Sequence, residues 1–134
     1  MSSNSLFDTF QYLITIRIAM RLTDDATIKQ TLKRLASDMI HFMDHASYTR
    51  PDVDHCIRIL EDYLANIEAS DSKESGMQAV ENAVVALNEL NARLDYELIE
   101  TEQREDIAEI IILAGHLKGY NGRDEDITED WREW

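Results

Sequence analysis

The sequence contains few of the residues that interrupt or cross-link a chain. Its 134 residues include one proline, four glycines and one cysteine. A protein built from short strands and turns would need more turn residues, so the composition disfavours a β fold. The single thiol, Cys56, excludes an internal disulfide framework and predicts a reducing compartment.

Signals for export and membrane insertion are also missing from the sequence. No apolar run reaches the roughly 20 residues that a membrane-spanning helix needs. The first ten residues, MSSNSLFDTF, contain no basic residue, so no signal peptide is predicted. Together these observations predict a cytoplasmic protein that does not associate with membranes.

Basic residues are scarce as well, with 13 Lys and Arg against 27 Asp and Glu, giving a net charge of −14. The imbalance is greatest in residues 69–134, which hold 17 acidic and six basic residues. Because phosphate binding needs clustered Lys and Arg, this charge argues against nucleic acid and anionic membranes as partners. It favours encounter with a basic protein, although the same charge could serve solubility alone.

Helical periodicity runs along most of the chain and predicts an all-α fold. Apolar residues recur at three- and four-residue steps, which is typical of helices with one buried face. We expect one domain, residues 1–134, built as a bundle of about five mostly antiparallel helices. The predicted helices cover 6–22, 26–46, 51–67, 77–94 and 106–120, with Phe42 on a buried face, a linker at 69–76 and an acidic C-terminal tail at 121–134.

Three of the four histidines lie in residues 38–56 and suggest a metal site as one alternative. His41 and His45 are four residues apart, so both rings can face one point, and His55 follows in the next helix. However, the HFMDH segment lacks the Glu that follows the first His of a zinc protease. A second interpretation is that His41 and His45 flank the apolar face and contact water.

No arrangement of nucleophile, base and acid predicts catalysis. Cys56 has apolar neighbours on its helix and is expected to be a buried, unreactive thiol. His55 precedes it directly and therefore points to a different side of the helix. Paired carboxylates do acid–base work only where a pocket separates their pKa values, and the sequence predicts no such pocket. We therefore predict no catalytic residue, no cofactor and no enzymatic activity.

Carboxylates and tryptophans near the C-terminal end are the candidate contacts for a protein partner. Charged groups speed the encounter and aromatic anchors supply affinity. The alternatives are a solvated acidic face and a pair of tryptophans that fold back as a lid. The candidate partner-binding residues are Glu97, Glu100, Glu105, Asp106, Glu109, Trp131 and Trp134.

Residues 79–94, AVENAVVALNELNARL, resemble the alanine-spaced central helix of the YjaG-like family of bacterial proteins (domain of unknown function 416). The aromatic-rich segment LFDTFQYLITIRIAMRL and the late DITEDW stretch look similar to that family in their order along the chain. The resemblance implies an all-helical fold. It implies no reaction, cofactor or catalytic residue.

These observations predict a non-enzymatic, acidic protein-binding module. The most specific hypothesis is an inhibitor or immunity-type protein that neutralises a basic partner such as a nuclease toxin. Two alternatives stay open at this point. One is a metal-binding bundle that uses His41, His45 and His55, and the other is a structural homo-oligomer.

Overall fold

A computed structural model describes residues 21–134, and these residues form an all-α structure. Its four α-helices are α1 (Ala26–Phe42), α2 (Arg50–Ala69), α3 (Lys73–Arg93) and α4 (Thr101–Leu117). Short 3-10 turns at Leu22–Asp24 and Met43–His45 flank α1. The predicted all-α class is confirmed for this part of the chain, which contains no strand. The predicted helix at 6–22 lies outside the described residues.

Side-chain caps explain where the helices begin. Asp25 accepts hydrogen bonds from the N–H groups of Thr27 (3.0 Å) and Ile28 (3.1 Å) at the start of α1. Ser72 and Ser75 form a reciprocal capping box, so α3 begins at Lys73. The predicted linker at 69–76 is therefore limited to residues 70–72, and the predicted start at residue 77 was wrong, because the polar residues after Ser72 form the first turn of a helix.

The core lies between all four helices, with α2 at its centre. Helix α2 packs against α1, α3 and α4, and α1 also packs against α4. Each helix contributes fully buried aliphatic side chains, as Leu35, Leu60, Leu87 and Ile107 show. Among residues 21–134, no helix combines the length and the apolar character needed to cross a bilayer.

A tight turn between α3 and α4 positions the acidic part of the chain. Asp95 and Tyr96 have φ values of 56° and 62°, which is left-handed backbone. Asn91 holds the turn, since its carbonyl accepts the Tyr96 N–H (2.8 Å) and its side-chain Oδ1 accepts the Ile99 N–H (3.0 Å). Helix α4 therefore begins at Thr101, earlier than the predicted residue 106. It ends at Leu117, shortly before Gly119, whose φ of 79° stops the helix as the sequence predicted.

Candidate partner-binding site

The three histidines proposed as metal ligands do not form a common site. His41 and His45 are exposed, as the second interpretation predicted, and His55 is half-buried on α2. Within residues 21–134 no three His, Cys, Asp or Glu side chains come together in a way that could hold a metal ion. The His41 ring instead packs edge-on against Phe42, with 5.4 Å between the ring centroids.

Cys56 lies in the core of the bundle and is not placed to act as a nucleophile. Its side chain is fully buried among apolar residues of the core. Burial disfavours the thiolate and raises the pKa of Cys56 to about 12. The thiol therefore stays protonated and inaccessible at neutral pH.

Two of the predicted acidic contacts are paired within the protein. Asp106 is only 8% exposed, and its carboxylate accepts two hydrogen bonds from the Arg34 guanidinium, at 2.7 and 3.2 Å. This bidentate pair joins α4 to α1, and the hydrogen bonds to Asp106 raise the pKa of Arg34. Glu109 forms an ion pair with Arg123. The charges of Asp106 and Glu109 are thus largely neutralised by neighbouring guanidinium groups.

The other three predicted carboxylates, Glu97, Glu100 and Glu105, are exposed. Glu97 accepts hydrogen bonds from the Ser47 N–H (2.9 Å) and from the Ser47 hydroxyl, and these bonds lower the pKa of Glu97. Glu100 is the N-cap of α4 and shares a capping box with Gln103. These contacts fix the carboxylate of Glu97 and the backbone of Glu100, and both side chains stay accessible to a partner.

The predicted aromatic contacts Trp131 and Trp134 fold back onto the bundle. Both are half-buried and pack against the core. Asn88 of α3 holds the tail backbone at two points: its Nδ2 donates to the Trp131 carbonyl (2.8 Å), and its Oδ1 accepts the Glu133 N–H (3.0 Å). The Arg132 guanidinium lies 5.8 Å from the centre of the Trp134 ring. The tail is therefore an integral part of the described structure.

Phe42 is the aromatic residue that the sequence analysis placed wrongly. The prediction put it on the buried face of a helix that continued to residue 46, but α1 ends at Phe42 and a 3-10 turn follows. Phe42 keeps the helical register, but it lies at the C-terminal end of α1, where neighbouring elements cover it only in part, and it is 45% exposed. No feature of the apolar periodicity indicates this exposure, since the pattern itself runs on past the end of the helix.

Two adjoining surface clefts, which we call the Phe42 clefts, share Phe42 and Glu100 in their walls. They lie where the C-terminal end of α1 meets the turn before α4 and the first turn of α4. Most of the surface that lines them is apolar. The 230 Å³ cleft is lined by Phe42, Glu100, Thr101, Glu102 and Gln103, and the 300 Å³ cleft by Phe42, His45, Ala46, Glu97 and Glu100.

Gln103 gives the smaller cleft an available hydrogen-bond donor. The residue is only 3% exposed, and its Oε1 accepts the Glu100 N–H at 3.2 Å. Its Nε2 forms no hydrogen bond to residues 21–134 and can donate to a ligand. No sequence pattern predicts a role for Gln103. The Phe42 clefts therefore combine an exposed ring, accessible carboxylates and one amide donor.

Comparisons with known proteins do not assign the chain to a group. No protein family, curated protein or solved structure matches it. The resemblance of residues 79–94 to the YjaG-like family therefore stays a prediction. A proposal for its function therefore rests on the chemistry of its own surface residues.

Proposed function

We propose that this protein is a cytoplasmic, non-enzymatic binding module for a basic protein, and that the partner docks at the Phe42 clefts. The observation that carries the proposal is the exposure of the Phe42 ring between accessible carboxylates. Covering apolar surface is favourable by about 25 cal/mol per Å². A partner that covers the Phe42 ring removes apolar surface from water, and this burial contributes to its affinity.

The composition of the clefts supports a protein partner more than a small substrate. Interfaces typically have an apolar centre with an aromatic anchor and a polar rim that excludes water. Phe42 is such an anchor, and Glu97, Glu100 and Glu102 form the rim. The carboxylates determine the sign of the partner's charge, because like charges brought together at an interface cost several kcal/mol.

An inhibitory role is consistent with this chemistry. Proteins that act on nucleic acid hold phosphate with clustered Lys and Arg. A rigid surface of carboxylates can occupy the same basic patch and exclude the phosphate backbone. We therefore propose that the partner is a basic protein of this kind, such as a nuclease toxin, and that binding neutralises it.

The test selects random peptides of about twelve residues, displayed on phage, on the immobilised protein. A parallel selection uses a triple variant, Glu97→Gln, Glu100→Gln and Glu102→Gln, which removes the rim charges and keeps the side-chain size. We expect the peptides that bind the wild type to be rich in Lys, Arg and apolar residues. Binding should weaken as salt increases, because the charges are exposed.

A second triple variant, Glu61→Gln, Glu89→Gln and Glu129→Gln, is the matched control. It removes the same number of exposed carboxylates outside the Phe42 clefts. The proposal requires that the control retains the selected peptides and that the cleft variant loses them. Selected peptides without a basic bias, or equal retention by both variants, would show that the proposed function is wrong.

A further inference from the structure

We propose that the Phe42 clefts recognise an arginine side chain next to an apolar one, with Phe42 and Glu100 binding the guanidinium. This proposal rests on the proposed function and adds to it the side-chain chemistry of the partner. It predicts a preference for arginine over lysine at equal charge. Net acidity alone would give no such preference.

The preference for arginine follows from the two residues that the clefts share. Phe42 offers an aromatic ring and Glu100 a carboxylate in the walls of both clefts. A guanidinium is planar, so it can stack on a ring while its N–H groups donate in parallel to a carboxylate. A lysine ammonium is a compact, strongly hydrated charge and cannot make both contacts with the same geometry.

Glu100 is held in position before any ligand arrives. It occupies the N-cap of α4, in a capping box with the nearly buried Gln103. The backbone that carries this carboxylate is thus ordered before binding, which lowers the entropic cost of association. Phe42 is similarly restricted on one side by the His41 ring. The arginine pocket is thus largely formed in the free protein.

Gln103 and Ala46 can contact the parts of the ligand other than the guanidinium. The Nε2 of Gln103, in the smaller cleft, can donate to a main-chain carbonyl of the bound segment. The larger cleft includes Ala46 as well as Phe42, and most of its lining surface is apolar, which suits an aliphatic side chain. Because both clefts border Phe42, two neighbouring residues of one short segment can fill them. The simplest ligand is therefore an arginine next to a leucine, and the test uses the order leucine–arginine.

The experiment titrates three blocked dipeptides into nitrogen-15-labelled protein and follows amide chemical shifts. The probes are N-acetyl-Leu-Arg-N-methylamide, its lysine counterpart and its citrulline counterpart, which keeps the shape of arginine without the charge. We expect the arginine compound to bind roughly threefold more tightly than the lysine compound, the range that an exposed cation–π contact provides. The side-chain amide signals of Gln103 should shift with it, and citrulline should bind weakest.

Two variants test whether Phe42 and Glu100 cause the preference for arginine over lysine. Phe42→Leu keeps an apolar side chain and should abolish the difference between arginine and lysine. Glu100→Gln should weaken arginine binding roughly fivefold or more, since hydrogen bonds to charged groups are the stronger ones. Val85→Ala, at an exposed apolar position outside the clefts, is the control and should change nothing.

The outcomes separate this inference from the proposed function. Equal affinity for the arginine and lysine compounds, or a preference that survives in Phe42→Leu, overturns the arginine pocket. In that case basic peptides can still be selected at the clefts, and the proposed function stands. Selection of peptides without basic bias overturns the proposed function itself, whichever dipeptide binds better.

Discussion

The acidic tail at 121–134 and the Phe42 clefts make an instructive pair, because each places aromatic side chains among carboxylates. The tryptophans of the tail were predicted either to contact a partner or to fold back as a lid, and Trp131 and Trp134 pack against the core as the lid alternative describes. Phe42 was predicted to be part of the core, yet it is the exposed ring. Residue type and neighbouring charge therefore do not decide which aromatic group is available to a partner.

Hydrogen bonds and burial together hold the tail against the fold. In the tail, the buried side chain of Asn88 binds the backbone at residues 131 and 133, and Asp126 accepts from the N–H (3.0 Å) and the hydroxyl (2.6 Å) of the buried Thr128. The tail backbone can leave water because it finds partners in the fold. Within residues 21–134 the buried side-chain atoms without a partner are Asn121 Oδ1 and Trp134 Nε1, both in the tail, yet both tryptophans are half-buried against the core, whereas the Phe42 ring is 45% exposed. The tail is thus part of the folded core, whereas the clefts are open to a ligand.

The largest expected effect tests the structural role of the tail. Removing residues 127–134 deletes the buried Ile127 and Thr128 and both tryptophans. We expect a loss of roughly 4 kcal/mol or more in the free energy of unfolding, comparable with removing a large core side chain. Urea unfolding followed by far-UV circular dichroism measures it, with Glu129→Gln plus Asp130→Asn as the control. A truncated protein with an unchanged midpoint would show that the tail does not contribute to the core.

Asn88→Ala tests the contact that holds the tail. It removes two hydrogen bonds to the backbone of the tail and leaves those groups without a partner, at a cost of roughly 2–3 kcal/mol. The emission of Trp131 and Trp134 should shift to longer wavelength as the tail becomes more solvated. Asn82→Ala on the exposed face of α3 is the matched control and should stay within about 0.5 kcal/mol of the wild type. Equal losses in the two variants would contradict the assignment.

Asp106→Asn and Glu105→Gln compare the contributions of two adjacent carboxylates to stability. Asp106 is paired within the fold, whereas Glu105 is accessible to solvent. Asp106 is bound by Arg34, and its neutralisation should cost roughly 1–2 kcal/mol of unfolding free energy, because a charged hydrogen-bond pair is lost. Glu105 is exposed, and its change should be within about 0.5 kcal/mol. Thermal and urea unfolding measure both. A smaller loss for Asp106→Asn than for Glu105→Gln would show that the ion pair contributes nothing.

The central parts of the helices could be predicted from the sequence, and their ends could not. Ile28, Leu35 and Met39 are buried as the three- and four-residue steps indicate. The same pattern fails at the C-terminal ends of two helices, where Phe42 is 45% and Leu117 is 48% exposed. Periodicity reports which side of a helix is apolar, but not how far the neighbouring helix extends to cover it.

The candidate site was predicted in part, for a related reason. Charge counting selects Glu97 and Glu100, which do line the clefts. It also selects Asp106, whose partner Arg34 lies 72 residues away in the chain and cannot be assigned from local spacing. Likewise, the value of Gln103 as a donor depends on its burial beside Glu100. Such contacts between distant or buried residues require the tertiary structure.

Phe42→Ala should have only a small effect on stability, which distinguishes it from a core residue of the same helix. Because Phe42 is nearly half exposed, we expect a loss of about 1 kcal/mol or less, whereas Met39→Ala, at a fully buried position, should cost roughly 2–5 kcal/mol. Urea unfolding of the two variants measures the difference. Equal losses would mean that Phe42 stabilises the fold and is not available to a partner.

The smallest expected effect concerns the carboxylate that Ser47 fixes at the rim of the clefts. The hydrogen bonds from Ser47 lower the pKa of Glu97 below its ordinary value of 4.5, so they favour the folded state while Glu97 is ionised. This stabilisation is present above the ordinary pKa and is lost as the pH falls through the lowered value. Wild type should therefore melt slightly above Glu97→Gln at about pH 7 and should lose that advantage at an acid pH below the lowered pKa of Glu97. The difference in melting temperature between wild type and Glu97→Gln could instead be the same at neutral and at acid pH. Ser47 would then not hold the ionised carboxylate, and the rim of the clefts would be less preorganised than proposed.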